Sequence, residues 1–83
     1  MAQVIVYTTR SCPYCLRAKA LLDRKQVSYQ EIQVDLDPEQ RDIMINKSGR
    51  RTVPQIFIDD KPIGGFDDLY VLDQTGELDR LLG

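Results

Sequence analysis

Two cysteines three positions apart, Cys12 and Cys15, are the residues of this 83-residue sequence best suited to chemistry. On a helix this spacing puts the Cβ atoms about 5–6 Å apart, slightly more than a disulfide needs. A residue just before the helix can, however, swing its sulfur over the first turn, so a reversible disulfide is feasible. Two cysteines are too few for a four-cysteine zinc site within one chain, and we expect no bound metal.

The sequence contains no histidine. This excludes a Cys–His nucleophile pair, a histidine metal ligand and a histidine proton shuttle. A free cysteine, with a pKa of about 8.5, is only slightly ionised at neutral pH, so another group must stabilise the thiolate. A helix N-terminus contributes at most about 2 kcal/mol, and backbone N–H groups and a cation must supply the rest. Arg10 is the candidate cation.

The elements around the two cysteines follow from the hydrophobic pattern. Residues 4–7 form an apolar run without polar alternation, which predicts a central strand covered on both faces. Pro13 favours the first position of a helix, so Cys12 falls at the N-cap and Cys15 lies one turn inside, on the apolar face. We therefore predict that the more exposed Cys12 attacks and the more buried Cys15 resolves.

The remaining segments complete a single domain over residues 1–83. The first helix is predicted to end near Lys25. It is followed by a strand at 28–33, a helix from Pro38, antiparallel strands at 55–58 and 61–64, a helix at 67–74 and a terminal amphipathic turn. Asp37 is the predicted N-cap of the second helix, and Gly49 lies just past its end. We expect Ile43 and Met44 to provide the apolar contacts of the second helix. The order βαβαββα predicts an α/β fold, a four-stranded mixed sheet flanked by helices.

Composition and charge exclude several classes of protein. The chain is 42% hydrophobic and 29% charged, and neither a membrane-spanning run nor a signal peptide is recognisable, so we expect a cytoplasmic protein. The net charge of -2 argues against nucleic-acid binding. Residues 1–51 carry nine Lys and Arg against six Asp and Glu, and residues 52–83 carry two against seven. A site between the two halves could hold a zwitterionic ligand, although solvated surface charge explains the same distribution.

Four segments together resemble the glutaredoxins, specifically the small bacterial dithiol type, over nearly the whole chain. They are the active-site motif at 12–15, the cis-proline loop at 52–54, the strand at 55–58 and the glutathione-binding turn at 64–69. A Cys-x-x-Cys motif between a strand and a helix is typical of thioredoxin-like redox proteins. The resemblance implies a thioredoxin-like fold and a glutathione-dependent thiol-disulfide oxidoreductase.

The resemblance also implies roles for individual residues. Cys12 is the nucleophile, the Val53–Pro54 bond is cis, and the Val53 backbone pairs with the cysteinyl part of glutathione. The sequence alone favours a trans bond and a Pro54 that opens a strand, since only about 5–6% of X–Pro bonds in folded proteins are cis. Asp67 and the N-terminus of the third helix receive the γ-glutamyl end, although Asp67 alone could simply cap that helix. The other implied glutathione-binding residues in these two segments are Thr52, Pro54, Gly65, Phe66 and Asp68.

Three further positions are less settled by the resemblance. Arg41 is expected to bind the glycyl carboxylate of glutathione, with solvated surface charge as the alternative. Many relatives carry a lysine where this chain has Thr9, so Arg10 would have to supply the contacts of that lysine with glutathione and the thiolate. Tyr14 covers the site in relatives, but an aromatic residue at a helix start is also plausible.

The expected reactions are the reduction of protein–glutathione mixed disulfides and of protein disulfides. Glutathione is the co-substrate and glutathione reductase an indirect partner, and we expect a monomer. One alternative is a protein of similar fold that is reduced by thioredoxin reductase. The turn at 64–68, which resembles a glutathione-binding turn, argues against it. The other is an iron-sulfur cluster carrier, in which two chains each supply one cysteine and one glutathione. Pro13 within the motif stiffens the loop and argues against that role.

Overall fold

The computed structural model describes residues 2–83, which form four strands and four helices. In chain order these are β1 (Val4–Thr8), α1 (Pro13–Arg24), β2 (Gln30–Gln33), α2 (Pro38–Ser48), β3 (Gln55–Ile58), β4 (Lys61–Gly64), α3 (Phe66–Thr75) and α4 (Glu77–Leu82). The strands lie in the order β2-β1-β3-β4. Strand β1 is parallel to β2 and antiparallel to β3, and β3 is antiparallel to β4. The predicted four-stranded mixed sheet flanked by helices is confirmed.

Side chains alternate between the two faces of the sheet and meet different helices on each. On one face, β1 and β3 contribute to a core cluster with residues of α1, α3 and α4: Val4, Val6, Ala18, Leu21, Leu22, Ile56, Ile58, Leu69 and Leu78. On the other face, Tyr7 and Phe57 pack with Val34 and with Met44 of α2. The central strands β1 and β3 are thus covered on both sides, as predicted for β1.

The helix and turn boundaries follow from local sequence. The Asp37 carboxylate accepts a hydrogen bond from the Gln40 N–H at 3.3 Å and so caps α2. Between β3 and β4, Asp59 and Asp60 adopt φ angles of 51° and 65°, the left-handed backbone that a tight two-residue hairpin requires. Pro62 lies on the edge strand β4, where its missing N–H interrupts no further pairing.

The structure differs from the sequence-based prediction at three points. The last segment forms a six-residue helix, α4, whose Leu78 is fully buried against the core, rather than a turn. Strand β2 begins at Gln30, two residues later than expected. In α2, Met44 is buried as predicted, but it is Ile45 rather than Ile43 that packs beside it against the second cluster.

We expect Leu22→Ala to lower the free energy of unfolding by about 2–5 kcal/mol, because the change leaves a cavity in the larger cluster. Leu22 is completely inaccessible to solvent, whereas Leu36 is 56% exposed. Leu36→Ala is the matched control and should change stability by less than about 0.5 kcal/mol. Urea unfolding of both variants measures the difference. Equal losses would show that the cluster around Leu22 is not the core of the fold.

Candidate active site

The two cysteines lie at the start of α1, just after the loop that follows β1. Cys12 is the N-cap of α1, with extended backbone angles, and its Sγ accepts a hydrogen bond from the Cys15 N–H at 3.0 Å. The two residues form a disulfide, with Cα atoms 5.2 Å apart. Cys15 is only 1% exposed, while Cys12 is partly exposed. The predicted placement, with Cys12 at the N-cap and Cys15 buried one turn inside, is confirmed.

The loop before β3 approaches Cys12 from the side. Its Val53–Pro54 peptide bond is cis, as the family resemblance implied. The Val53 carbonyl oxygen lies 3.8 Å from Cys12 Sγ. The amide of buried Gln55 donates hydrogen bonds to the Thr52 carbonyl oxygen and hydroxyl at 3.0 and 3.3 Å, so it anchors the loop to the sheet. The sequence predicts Gln55 only as a strand residue, and this positioning role was not predicted. A polar residue in an otherwise apolar strand was the available signal.

The turn between β4 and α3 forms the opposite wall. The Asp68 carboxylate folds back and accepts the Gly65 N–H at 3.0 Å, which caps the start of α3. Gly64 has a φ of 117°, and a Cβ added there would overlap that carboxylate, with the Asp68 Cγ only 2.7 Å away. Glycine at position 64 is therefore required both for the backbone conformation and for the close approach of the capping carboxylate.

These segments line a cavity of about 180 Å³, and Val53 connects it to the cysteine pair, because the Val53 carbonyl oxygen lies 3.8 Å from Cys12 Sγ. Its lining contains eight of the ten residues predicted to bind glutathione: Tyr14, Thr52, Val53, Pro54, Gly65, Phe66, Asp67 and Asp68. A larger cavity of about 390 Å³ lies near Ala2 and the end of α4, and its described lining contains no residue of the loop at 52–54 that contacts Cys12. Proximity to the reactive sulfur, rather than volume, identifies the smaller cavity as the candidate site.

Two predicted residues are not brought to this cavity. The Arg10 side chain is 63% exposed, and its Nε donates to the Asp35 carboxylate at 2.8 Å. That hydrogen bond holds the pKa of Asp35 below its usual value. Arg41 instead donates from Nη2 to the Arg51 carbonyl oxygen at 3.3 Å. Each arginine donates to an oxygen acceptor elsewhere, and neither is among the residues that line the cavity.

The cavity also contains a residue that sequence analysis missed. Arg50 lines it, and its Nη1 lies 3.0 Å from the Asp68 carboxylate. The available signal was the charge distribution, because Arg50 belongs to the basic half of the chain and Asp68 to the acidic half. The expectation that opposite charges of the two halves could meet at one site is met here.

Aromatic rings border the cavity mouth. The Tyr14 and Phe66 ring centroids are 6.3 Å apart, and Phe66 lies 5.9 Å from Tyr70. The guanidinium carbon of Arg17 is 5.1 Å from the Tyr14 ring centroid, a distance typical of a cation–π contact. Tyr14 is 53% exposed and lines the cavity. It is thus positioned as a wall of the site and is more than an aromatic residue at a helix start.

We expect the Asp68 cap to make the fold sensitive to acid. The Gly65 N–H and then the Arg50 guanidinium hold the pKa of Asp68 below its usual value. Its ionised form therefore stabilises the fold above the unfolded-state pKa of about 3.9, and this contribution is lost as the pH falls through the lower folded-state pKa. Asp68→Asn should be less stable than wild type at neutral pH, and the gap should narrow towards about pH 2.

Urea unfolding at several pH values measures that gap. Glu39→Gln, which removes an exposed carboxylate from the first turn of α2, is the control, and its gap to wild type at neutral pH should be smaller than that of Asp68→Asn, because Asp68 also accepts a backbone N–H and a guanidinium. A gap between wild type and Asp68→Asn that stays constant down to pH 2 would contradict the assignment, because it would show that the charge of Asp68 is not what stabilises the turn.

A Cys-x-x-Cys disulfide at the start of a helix, next to a cis-proline loop in this mixed sheet, defines a thiol-disulfide oxidoreductase of thioredoxin-like fold. Comparison with known proteins narrows the class. Residues 4–63 match the glutaredoxin family model. Glutaredoxin 3 of Escherichia coli (strain K12) is 60% identical over 82 residues, covering 99% of both chains. The chain belongs to the glutaredoxin family.

Solved structures agree with this assignment. The crystal structure of a buckwheat glutaredoxin–glutathione complex superposes with a TM-score of 0.89 at 32% identity, covering 98% of this chain and 76% of the other. The solution structure of glutaredoxin from Brucella melitensis gives a TM-score of 0.87 at 54% identity, covering 99% of this chain and 89% of the other.

Over residues 2–83, no helix has the length and apolar character to cross a membrane.

Proposed function

We propose that this protein uses glutathione to reduce protein–glutathione mixed disulfides and protein disulfides. The observation that carries the proposal is the cavity beside Cys12, which combines an open backbone loop at Val53 with side-chain charges of both signs. Glutathione offers matching groups, since it is an extended tripeptide with a central thiol, two carboxylates and an ammonium. The solved buckwheat relative is described as a complex with glutathione, which further supports this ligand.

In the first reaction the Cys12 thiolate attacks the glutathionyl sulfur of a mixed disulfide. A bond forms between Cys12 Sγ and that sulfur, the protein–sulfur bond breaks, and the protein thiolate leaves and takes a proton from solvent. A second glutathione thiolate then attacks the glutathionyl sulfur. This step releases glutathione disulfide and restores Cys12, and glutathione reductase recovers glutathione with NADPH.

Protein disulfides follow a branch that uses both cysteines. Cys12 attacks one sulfur of the substrate and forms a protein mixed disulfide, which Cys15 then resolves. The products are the reduced substrate and the Cys12–Cys15 disulfide, the form that the structure contains. Two glutathione molecules reduce that disulfide. The Cys15 N–H at 3.0 Å and the N-terminus of α1 support the thiolate of Cys12 in both branches.

The proposal assigns each part of glutathione to one wall of the cavity. The cysteinyl backbone pairs with Val53, and the γ-glutamyl ammonium lies near Asp67 at the start of α3. The glycyl carboxylate is assigned to Arg41, whose bond to the Arg51 carbonyl oxygen uses one of its five N–H donors. Arg10 takes part only if a bound anion draws it from Asp35. We further propose that the protein acts as a monomer in the cytoplasm.

The test follows NADPH consumption with a glutathionylated peptide as substrate. We expect turnover with glutathione plus glutathione reductase, and none with thioredoxin reductase alone. The reverse pattern would show that the protein is fed by thioredoxin reductase and would overturn glutathione dependence. Purification without oxygen tests the iron-sulfur alternative, because a bound cluster would give a brown protein with visible absorbance. We expect a colourless one.

A further inference from the structure

Without Arg50, the charged side chains lining the cavity would all be negative. Asp67 and Asp68 both line it, and Arg50 is the only cation among the lining residues that the structure describes. Two uncompensated carboxylates would repel a ligand that carries a carboxylate of its own. Arg50 therefore decides whether this end of the cavity can accept an anionic group.

Hydrogen bonds from its backbone and from its side chain position Arg50 at the cavity. Its backbone N–H donates to the Ser48 hydroxyl at 3.0 Å, at the end of α2. Its guanidinium donates one hydrogen bond to Asp68 Oδ2. The same oxygen also accepts the Gly65 N–H. The side chain remains 53% exposed. A guanidinium has five N–H donors in a planar fork that suits a carboxylate, so donors remain for a ligand at the N-terminus of α3.

We infer that Arg50 is a specificity-determining residue that binds the free α-carboxylate of the γ-glutamyl group, while Asp67 binds the adjacent ammonium. This inference rests on the proposed function, because it concerns the glutathionyl part of the substrate. The two charges of the γ-glutamyl group are attached to one carbon atom, so a cation and an anion must line the same small space. Arg50 and Asp67 meet that requirement.

The inference predicts which part of the substrate Arg50 senses. The experiment uses one peptide in three mixed disulfides, with glutathione, with γ-glutamylcysteine and with cysteinylglycine. Release of the peptide thiol is followed over a range of substrate concentrations at saturating glutathione. Arg50→Gln should raise the apparent KM about tenfold for the first two substrates, the loss of one charge-assisted contact, with kcat nearly unchanged. For cysteinylglycine, which lacks the γ-glutamyl group, we expect a change below twofold.

Two further variants complete the design. Arg50→Lys keeps the positive charge but not the fork, so its KM should lie between wild type and Arg50→Gln. Arg24→Gln removes the same charge from an exposed position at the end of α1 and should behave as wild type. A purely structural role for Arg50, through its ion pair with Asp68, would affect all three substrates alike.

Three outcomes would overturn the inference. An equal loss of activity on all three substrates would show that Arg50 acts on the stability of the fold or on the ionisation of Cys12. A loss with cysteinylglycine but not with γ-glutamylcysteine would show that it binds the glycyl carboxylate. No loss at all would remove it from the site. Wild-type protein that releases no thiol from the glutathionylated peptide would instead overturn the proposed function itself.

Discussion

We expect Cys12→Ser to abolish both proposed activities, and Cys15→Ser to keep most of the activity on glutathionylated substrates but to lose the reduction of protein disulfides. The reason is the division of roles between the two sulfurs. A serine hydroxyl is scarcely ionised at neutral pH and cannot replace the Cys12 thiolate. Cys15 is needed only where it must attack the mixed disulfide of Cys12, because free glutathione can discharge a glutathionyl group in its place.

Both variants are measured in both assays, release of thiol from a glutathionylated peptide and reduction of a protein disulfide. Cys15→Ser should also accumulate a covalent complex with the protein substrate, visible by non-reducing electrophoresis. Equal loss of peptide deglutathionylation in the two variants would show that the roles assigned to Cys12 and Cys15 are wrong. The exposure of the two side chains supports the assignment, since substrate can reach Cys12 while Cys15 is buried.

The second large effect is expected at Asp67, through recognition of the γ-glutamyl group of glutathione. Asp67→Ala should raise the apparent KM for glutathionylated substrate about tenfold to a hundredfold, because it removes a charge-assisted contact to the γ-glutamyl ammonium. Asp67 is exposed, lines the cavity and forms no ion pair within residues 2–83. The ionisation of Cys12, followed by thiolate absorbance against pH, should be nearly unchanged, since Asp67 acts on the far end of the ligand.

Glu39→Ala is a closely matched control for this substitution. Glu39 is the second residue of α2, as Asp67 is of α3, so both changes remove a carboxylate from the first turn of a helix. Their effects on helix stability should be similar, about 0.3–1 kcal/mol each. Only Asp67→Ala should change KM. An unchanged KM would remove Asp67 from the site, and an equal rise in both variants would show that general charge loss is responsible.

Much of the site could be predicted because it depends on neighbours in the chain. Pro13 favours the start of a helix, and this alone places Cys12 at the N-cap and Cys15 on the buried face. The Asp59-Asp60 turn is likewise a local preference for left-handed backbone. The cis bond at Val53–Pro54 was expected only from the resemblance to glutaredoxins, since the residues around it do not distinguish cis from trans.

The partners of charged side chains were decided by the tertiary structure. Arg10 was expected at the thiolate, but Asp35, 25 positions later, lies within 2.8 Å of it. Arg50 was counted only among basic residues, yet it meets Asp68 18 positions away, across the cavity. Segment 77–82 became a helix because Leu78 is buried in the core, which the sequence of a short segment does not reveal.

The order of the elements from β1 to α3, the cysteine motif at the start of α1 and the glycine turn before α3 could all be predicted from the sequence. Backbone preferences and apolar spacing act over a few residues, so they can be read along the chain. Which cation faces which anion depends on how β1, α2 and α3 pack around the sheet. Long flexible side chains such as those of Arg10, Arg41 and Arg50 take the nearest acceptor that packing provides, and only the tertiary structure places that acceptor.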